Sequence, residues 1–145
     1  VYGDHIVKFG ENFIWNLEIL KGEEVYVLVG ITPNKEEILT KNKEGYTWYM
    51  SGGYTWAGNG YFAYDCTSVQ YCKKNAFRKK GDKLQVKFNW KQNSLHYIVN
   101  GEDFGNALDM RNCKKLTTDK NAEFRLAMCC CKSTDMAIKI DAQSY

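Results

Sequence analysis

The stretch Gly81–Gly101, GDKLQVKFNWKQNSLHYIVNG, decides the fold class of this protein. Its segment Lys83–Trp90 alternates strictly between polar and apolar side chains, and the return segment Leu95–Val99 has Leu95, Tyr97 and Val99 on one face. Such alternation predicts strands with one buried face, because successive side chains of a strand point to opposite sides of the sheet. The polar residues Lys91–Ser94 are expected to form the hairpin loop, and Asn100-Gly101 a tight turn that tolerates positive φ. The stretch therefore predicts an antiparallel hairpin.

Further strand patterns lie on both sides of this hairpin. The segment Phe13–Ile19 alternates in part and predicts a half-buried strand, whereas the apolar run Val25–Ile31 predicts a strand covered on both faces. Two closing strands are expected at Phe124–Cys131 and Met136–Ile140. Only Asn34–Asn42 has helical character, and no long amphipathic helix is present. The pattern predicts an all-β sandwich or barrel.

The composition is that of one folded module. The 145 residues match the usual size of a single domain, and 44% of them are hydrophobic, which suffices for a core and excludes a disordered tail. The longest apolar run, Leu126–Cys131, is far shorter than the roughly 20 residues of a membrane-spanning helix. We expect a single domain over residues 1–145 without membrane insertion. Because the chain begins at Val1 with no signal segment, we also expect it to be excised from a longer protein with other domains.

The charge balance argues against a nucleic-acid partner. Lys and Arg number 20 against 17 Asp and Glu, which leaves a net charge of +3. The basic clusters Lys73-Lys74, Arg78–Lys80 and Lys114-Lys115 are short, whereas binding by counterion release usually needs about six to ten phosphate contacts on one face. We expect these clusters to be solvated turns between strands.

The six cysteines do not follow a disulfide framework. The consecutive residues Cys129–Cys131 would point to alternating faces of a strand, so they cannot all meet partners in one core. We interpret them as free, buried apolar residues, and we expect a reducing intracellular compartment, the cytoplasm. Cys66 and Cys72 have neither CxxC spacing nor a nearby His, which argues against zinc. A bridge between these two cysteines stays open.

The sequence contains no catalytic constellation. Its only histidines are His5, in a weakly patterned segment, and His96, which lies opposite the apolar face of Leu95–Val99. Motifs for a nucleophile elbow, a phosphate-binding loop, dinucleotide binding and zinc proteolysis are all missing. We expect a non-enzymatic protein with no catalytic residue, cofactor or metal.

The hairpin and its neighbours resemble the SPRY (B30.2-type) domain family. The most specific part of the resemblance is a strand opened by Gly-Asp (Gly81–Phe88), an apolar strand ended by Asn-Gly (Leu95–Gly101) and a following Gly-x-Ala (Gly105–Ala107). Upstream, the chain has a Trp-x-hydrophobic strand (Trp15–Ile19), a Val-Gly-hydrophobic strand (Val29–Ile31) and an aromatic segment (Tyr54–Phe62). Two closing strands follow at Leu126–Cys131 and Met136–Ile140. The resemblance covers most of Phe13–Ile140 and implies a two-layer antiparallel β-sandwich of the concanavalin-like type, with long connecting loops.

The resemblance also implies a function. SPRY domains are protein–protein interaction modules that bind a peptide or partner surface through loops at one end of the sandwich. By resemblance, these loops are Thr32–Tyr49 and Cys131–Asp135. The candidate partner-binding residues are Tyr46, Trp48, Tyr49, Lys132 and Ser133. Tyr and Trp suit this role because they offer a large contact area at a low cost in conformational entropy.

Two other functions stay open. One is a lectin-like module, because related sandwiches bind carbohydrate and exposed Trp can stack on sugars, although the sequence lacks a cluster of His, Asn and Arg typical of sugar binding. The other is a structural domain packed within a larger protein, which would expose apolar patches when isolated. Within the aromatic cluster Tyr46–Trp56, we expect Trp56 to belong to the core.

Overall fold

The structure is a computed structural model that describes residues 2–36, 39, 53–64, 67–73, 76–109, 119–130 and 135–144. Within these residues the chain forms eleven strands and a short 3-10 turn at Ala107–Asp109. The strands are β1 Tyr2–Lys8, β2 Asn12–Lys21, β3 Val27–Pro33, β4 Tyr54–Ala57, β5 Tyr61–Tyr64, β6 Thr67–Gln70, β7 Lys83–Asn89, β8 Ser94–Val99, β9 Glu102–Asn106, β10 Glu123–Cys130 and β11 Ala137–Ser144. No helix among the described residues is long and apolar enough to cross a bilayer.

The strands form two sheets that pack face to face. Sheet A has the order β1-β10-β3-β4-β5-β6, and sheet B has the order β11-β2-β7-β8-β9. Every neighbouring pair is antiparallel. Buried apolar side chains of both sheets form the main core between them. The expected all-β, two-layer antiparallel sandwich is confirmed.

The predicted hairpin and strand patterns appear as expected in sheet B and in β3. Burial alternates along β2, β7 and β8, so one face of each strand packs into the core. In β3, the run Val27–Ile31 is buried throughout. Its Leu28 packs with Ala127 in a second apolar cluster, on the side of sheet A opposite the main core. This second cluster explains why β3 carries a continuous apolar run.

Five strands lie where the sequence pattern predicted none. Strands β4, β5 and β6 have four residues each, too few for a period of two to be recognised. Strands β1 and β9 carry mixed side chains, and they form because they pair with β10 and β8. In addition, β11 continues past Ile140 to Ser144, because its pairing with β2 extends to Phe13. The expected helical stretch falls mostly outside the described residues.

The sandwich has two ends. At the first end, β3 finishes at Pro33 and β7 finishes at Asn89. Phe124, which pairs with Pro33, lies with its ring centroid 4.9 Å from that of Trp90, the residue after β7. At the second end, β3 begins at Val27 and β7 begins at Lys83. The β7–β8 turn thus lies at the first end, and the Asn100-Gly101 turn lies at the second.

Candidate functional site

An open cleft of about 410 Å³ lies on the outer face of sheet B, the face turned away from the core. We call it the sheet B cleft. Its lining residues are Asn16, Leu17, Glu18, Lys83, Leu84, Gln85, Ile98, Asn100, Gly101, Lys139 and Asp141. They come from β2, β7, β8 and β11 and from the turn after β8.

The strand alternation explains why this face is polar. In β2 and β7 the residues directed into the core are apolar, whereas Asn16, Glu18, Lys83 and Gln85 between them face outward. One cross-strand row aligns Lys139 with Glu18 and Glu18 with Lys83. The next row contains Asp141, Asn16, Gln85 and Ile98. The cleft therefore has an ordered pattern of charges and amides.

The charged side chains of the cleft balance each other. The lining contains two lysines and two carboxylates, and Lys139 Nζ lies 3.7 Å from Asp141 Oδ2. In the centre, Gln85 Nε2 donates a hydrogen bond to Asn16 Oδ1 over 3.0 Å. Because each amide offers both donors and acceptors, this pair retains groups for a ligand. Such a cleft suits a neutral or zwitterionic polar ligand.

The Gly-Asp and Asn-Gly motifs meet at the rim of the cleft. Asp82 Oδ2 accepts hydrogen bonds from the backbone N–H groups of Arg78 and Lys79, both over 3.0 Å. Its Oδ1 accepts from Asn100 Nδ2 over 3.1 Å. Asn100 and Gly101 have φ values of 50° and 84°, which confirms the predicted turn. Burial alone would raise the pKa of Asp82, but these hydrogen bonds outweigh it and lower the pKa.

The histidine of β8 takes part in a surface interaction. His96 lies on the outer face, as expected, with its Nδ1 3.0 Å from Asp103 Oδ1. Burial alone would raise the pKa of Asp103, but the interaction with His96 and the hydrogen bond from Gly105 N–H lower it. Among the described residues, no group of three or more His, Cys, Asp or Glu side chains is placed to hold a metal ion.

The five partner-binding candidates from the sequence, Tyr46, Trp48, Tyr49, Lys132 and Ser133, lie outside the described residues. The strand ends from which their two loops begin do belong to the described residues. The chain leaves β3 after Pro33 at the first end, and it leaves β10 after Cys130, which pairs with Val27 at the second end. The expectation that both loops leave one end of the sandwich is therefore wrong. The reason is that β3 and β10 are antiparallel neighbours, so their carboxyl ends lie at opposite ends of the sheet.

The loop that follows β10 is anchored beside the cleft. It leads to Asp135, whose Oδ1 lies 2.8 Å from Lys21 Nζ. Ala137 then pairs with Lys21, and Lys139, two residues further, lines the cleft. Of the two predicted loops, the one that carries Lys132 and Ser133 thus begins at the second end and is followed by β11, whose Lys139 lines the cleft.

Sequence reasoning missed the cleft itself. Asn16, Gln85, Lys139 and Asp141 are outward residues of strands that the pattern did predict, but their neighbours across the sheet were unknown. The signal in the sequence was the pair of amides, Asn16 and Gln85, at outward positions of β2 and β7. These two residues could be recognised as neighbours only once the strand order was known.

The aromatic cluster and the cysteines can be followed in part. Trp56 is fully buried, as expected, and its Nε1–H donates to Cys72 Sγ over 3.1 Å. Tyr54 is also buried in the core. Cys72 is a free cysteine, and burial raises the pKa of its thiol. Cys66 lies outside the described residues.

The fold is similar to that of a solved protein. No protein-family model and no curated protein sequence matches this chain. The structure is similar to that of the SPRY domain of human HERC1, with a TM-score of 0.59. The two share 12% sequence identity, and the match covers 96% of this chain and 79% of that chain. The two-layer sandwich predicted from the Gly-Asp and Asn-Gly motifs is the fold that this match shows. The chain has the fold of a SPRY domain.

Proposed function

We propose that the protein is a non-enzymatic interaction module that binds an extended peptide segment of a partner protein in the sheet B cleft. The observation that carries the proposal is the lining of the cleft, in which Ile98 lies beside the Gln85 amide and charged residues of both signs line the same surface. The SPRY fold supports a protein partner. The loop with Lys132 and Ser133, anchored at the same end, is proposed to complete the site.

The chemistry of the cleft fits a polypeptide. An extended peptide presents N–H and C=O groups that must be hydrogen-bonded when water is displaced. The Asn16 and Gln85 amides can donate to and accept from such groups. The lysines Lys83 and Lys139 can pair with acidic side chains of the ligand, and Glu18 with a basic one.

Carbohydrate binding is less well supported by the same lining. The described residues around the cleft include no aromatic side chain on which a sugar ring could stack. Trp15, Trp56 and Trp90 are at most 5% exposed. A lectin-like function would therefore depend on Trp48, which belongs to the loop after β3 and lies outside the described residues.

The test is selection of peptides from a random-sequence phage library, followed by titration of the selected peptide. We expect Gln85→Ala and Lys132→Ala each to weaken binding about five- to tenfold, as expected for the loss of one hydrogen bond or ion pair to the ligand. Lys91→Ala, in the β7–β8 turn at the first end, is the matched control and should leave the affinity unchanged.

Two results would overturn this assignment. If Trp48→Ala abolishes binding while Gln85→Ala has no effect, the site lies with Tyr46, Trp48 and Tyr49 in the loop after β3. If no peptide is selected but a glycan array gives binding that Trp48→Ala removes, the protein is a lectin-like module.

A further inference from the structure

Strand β11, at one side of sheet B, has a free edge among the described residues. Among the described residues, β11 pairs only with β2, so the backbone groups on its other side have no strand partner. The only irregularity in its register lies at its beginning, between Ala137 and Ile138. An exposed edge of this kind is a template for pairing with another strand.

The other three sheet edges are protected by their geometry. Strand β1 has a register shift between Tyr2 and Ile6, and the pairing of β9 with β8 is also shifted. Strand β6 has only four residues. Bulges and short strands are the usual means by which proteins prevent edge-to-edge association. The edge of β11 is eight residues long, and its one register shift lies at its first residue, so Ile138–Ser144 pair with β2 without a break.

The side chains of β11 are complementary to themselves. Residues that face each other across two antiparallel edges must have the same hydrogen-bonding orientation, so their positions in β11 differ by an even number. When a two-fold axis relates the two copies, one residue of β11 therefore lies opposite its own copy. The two registers with the longest overlap place Ile140 or Asp141 on the axis. With Asp141 on the axis, two carboxylates face each other. With Ile140 on the axis, Lys139 faces Asp141 of the second copy twice, and opposite charges meet.

The apolar face of β11 favours the same register. Ile138 packs partly against the core, and Ile140 and Ala142 follow on the same face. Although this is the core side of the strand, Ile140 is 37% exposed and Ala142 is exposed as well. With Ile140 on the axis, Ile138 meets Ala142 of the second copy and Ile140 meets Ile140. Pairing would cover apolar surface that the single chain leaves in water.

We propose that two copies of this chain associate through β11, antiparallel, with Ile140 on the two-fold axis. The two B sheets then form one continuous sheet. Their clefts lie side by side on one face, because a two-fold axis perpendicular to a sheet keeps outer faces together. Each Lys139, which lines the cleft of its own chain, then faces the Asp141 carboxylate of the other copy.

The first test is sedimentation velocity over a concentration series that reaches about 1 mM, the range of a weak dimer. The wild type is expected to dimerise. Lys139→Asp and Asp141→Lys each create like-charge contacts and should weaken the dimer at least tenfold. The double variant Lys139→Asp/Asp141→Lys restores opposite charges in the same register and should recover most of the affinity. Lys91→Asp, an equal charge change in an exposed turn, should have no effect.

The second test does not depend on charge. Under mild oxidation, Ile140→Cys should form a disulfide-linked dimer faster than Ala142→Cys, because only residue 140 faces its own copy at the 4.5–5.5 Å Cα separation of paired residues. A wild type that stays monomeric throughout, a double variant that does not recover, or equal crosslinking of the two cysteine variants would each overturn the proposal. If the wild type stays monomeric, the free edge of β11 is instead available to pair with a strand of another protein.

Discussion

Asp82 joins three parts of the chain through one carboxylate. It accepts backbone hydrogen bonds from Arg78 and Lys79 before β7, and it accepts a side-chain hydrogen bond from Asn100 after β8. Asn100 Oδ1 in turn accepts from Lys83 N–H over 2.9 Å. The Gly-Asp and Asn-Gly motifs therefore form one hydrogen-bonded unit at the second end. The sequence predicted the two turns, but it could not show that they contact each other across eighteen positions.

The first prediction concerns the charge of Asp82. Asp82→Asn should reduce the free energy of unfolding at pH 7 by about 2 kcal/mol, because the backbone donors lose a charged acceptor and Asn100 Nδ2 then faces an amide donor. Since the hydrogen bonds lower the folded-state pKa of Asp82 below its unfolded value of about 3.9, the stabilisation is fully present above that value. It is lost as the pH falls through the folded pKa. Urea unfolding at a series of pH values measures both effects.

The control for this prediction is Glu23→Gln, an equal charge change at an exposed residue of the β2–β3 turn. It should shift the unfolding midpoint little at any pH. If the wild type and Asp82→Asn lose stability in parallel down to pH values below the folded pKa, Asp82 does not contribute through its charge.

At the scale of elements, two glycines meet different requirements. A Cβ at Gly30 in β3 would lie 1.8 Å from the carbonyl oxygen of Tyr54 in β4, so only glycine allows these strands to approach. A Cβ at Gly101 would meet no atom within 4 Å, but its φ of +84° is unfavourable for other residues. The Val-Gly and Asn-Gly motifs thus record close packing in one place and turn geometry in the other.

The second prediction compares these two positions. Gly30→Ala should destabilise the protein by about 3 kcal/mol or more, because β3 and β4 must separate. Gly101→Ala should cost only about 1–2 kcal/mol, the cost of a left-handed backbone conformation. Thermal unfolding followed by circular dichroism gives both values. Equal effects of the two substitutions would contradict the close approach of β3 and β4.

The strands differ in whether the sequence pattern predicted them. Strands β2, β7, β8 and β10 were predicted within one or two residues, because their burial follows the period of two or a long apolar run. Strands β4, β5 and β6 were not predicted, because strands of four residues depend on their neighbours rather than on their own pattern. The same dependence hid the sheet B cleft, whose residues belong to strands far apart in the chain.

At the scale of the whole molecule, Tyr97 links the two sheets. Its ring is fully buried in β8 of sheet B, and its hydroxyl donates to the carbonyl oxygen of Val29 in β3 of sheet A over 3.0 Å. Burial raises the pKa of Tyr97 well above its ordinary value, so the hydroxyl keeps its proton and remains a donor. The hydroxyl of Tyr71, the residue after β6, makes a second polar contact to sheet B, because it donates to the carbonyl oxygen of Gly105 in β9.

The third prediction removes the Tyr97 contact alone. Tyr97→Phe should lower the free energy of unfolding by about 1–1.5 kcal/mol, the contribution of one buried neutral hydrogen bond. The denaturant m-value should not change, because the packing of the ring is retained. Tyr61→Phe, at a residue that is 38% exposed, is the control and should have almost no effect. A loss as small as that of the control would mean that the sheets do not depend on this hydrogen bond.

The sequence by itself determined the fold class, the central hairpin and its turns, and the face of each long strand that enters the core. These properties are local, since alternation, glycine placement and turn residues act within a few positions. Only the tertiary structure decided the strand order, the opposite ends from which the two predicted loops leave, the sheet B cleft and the free edge of β11. These properties depend on which distant strands pair, and an antiparallel neighbour reverses the end at which the next loop begins.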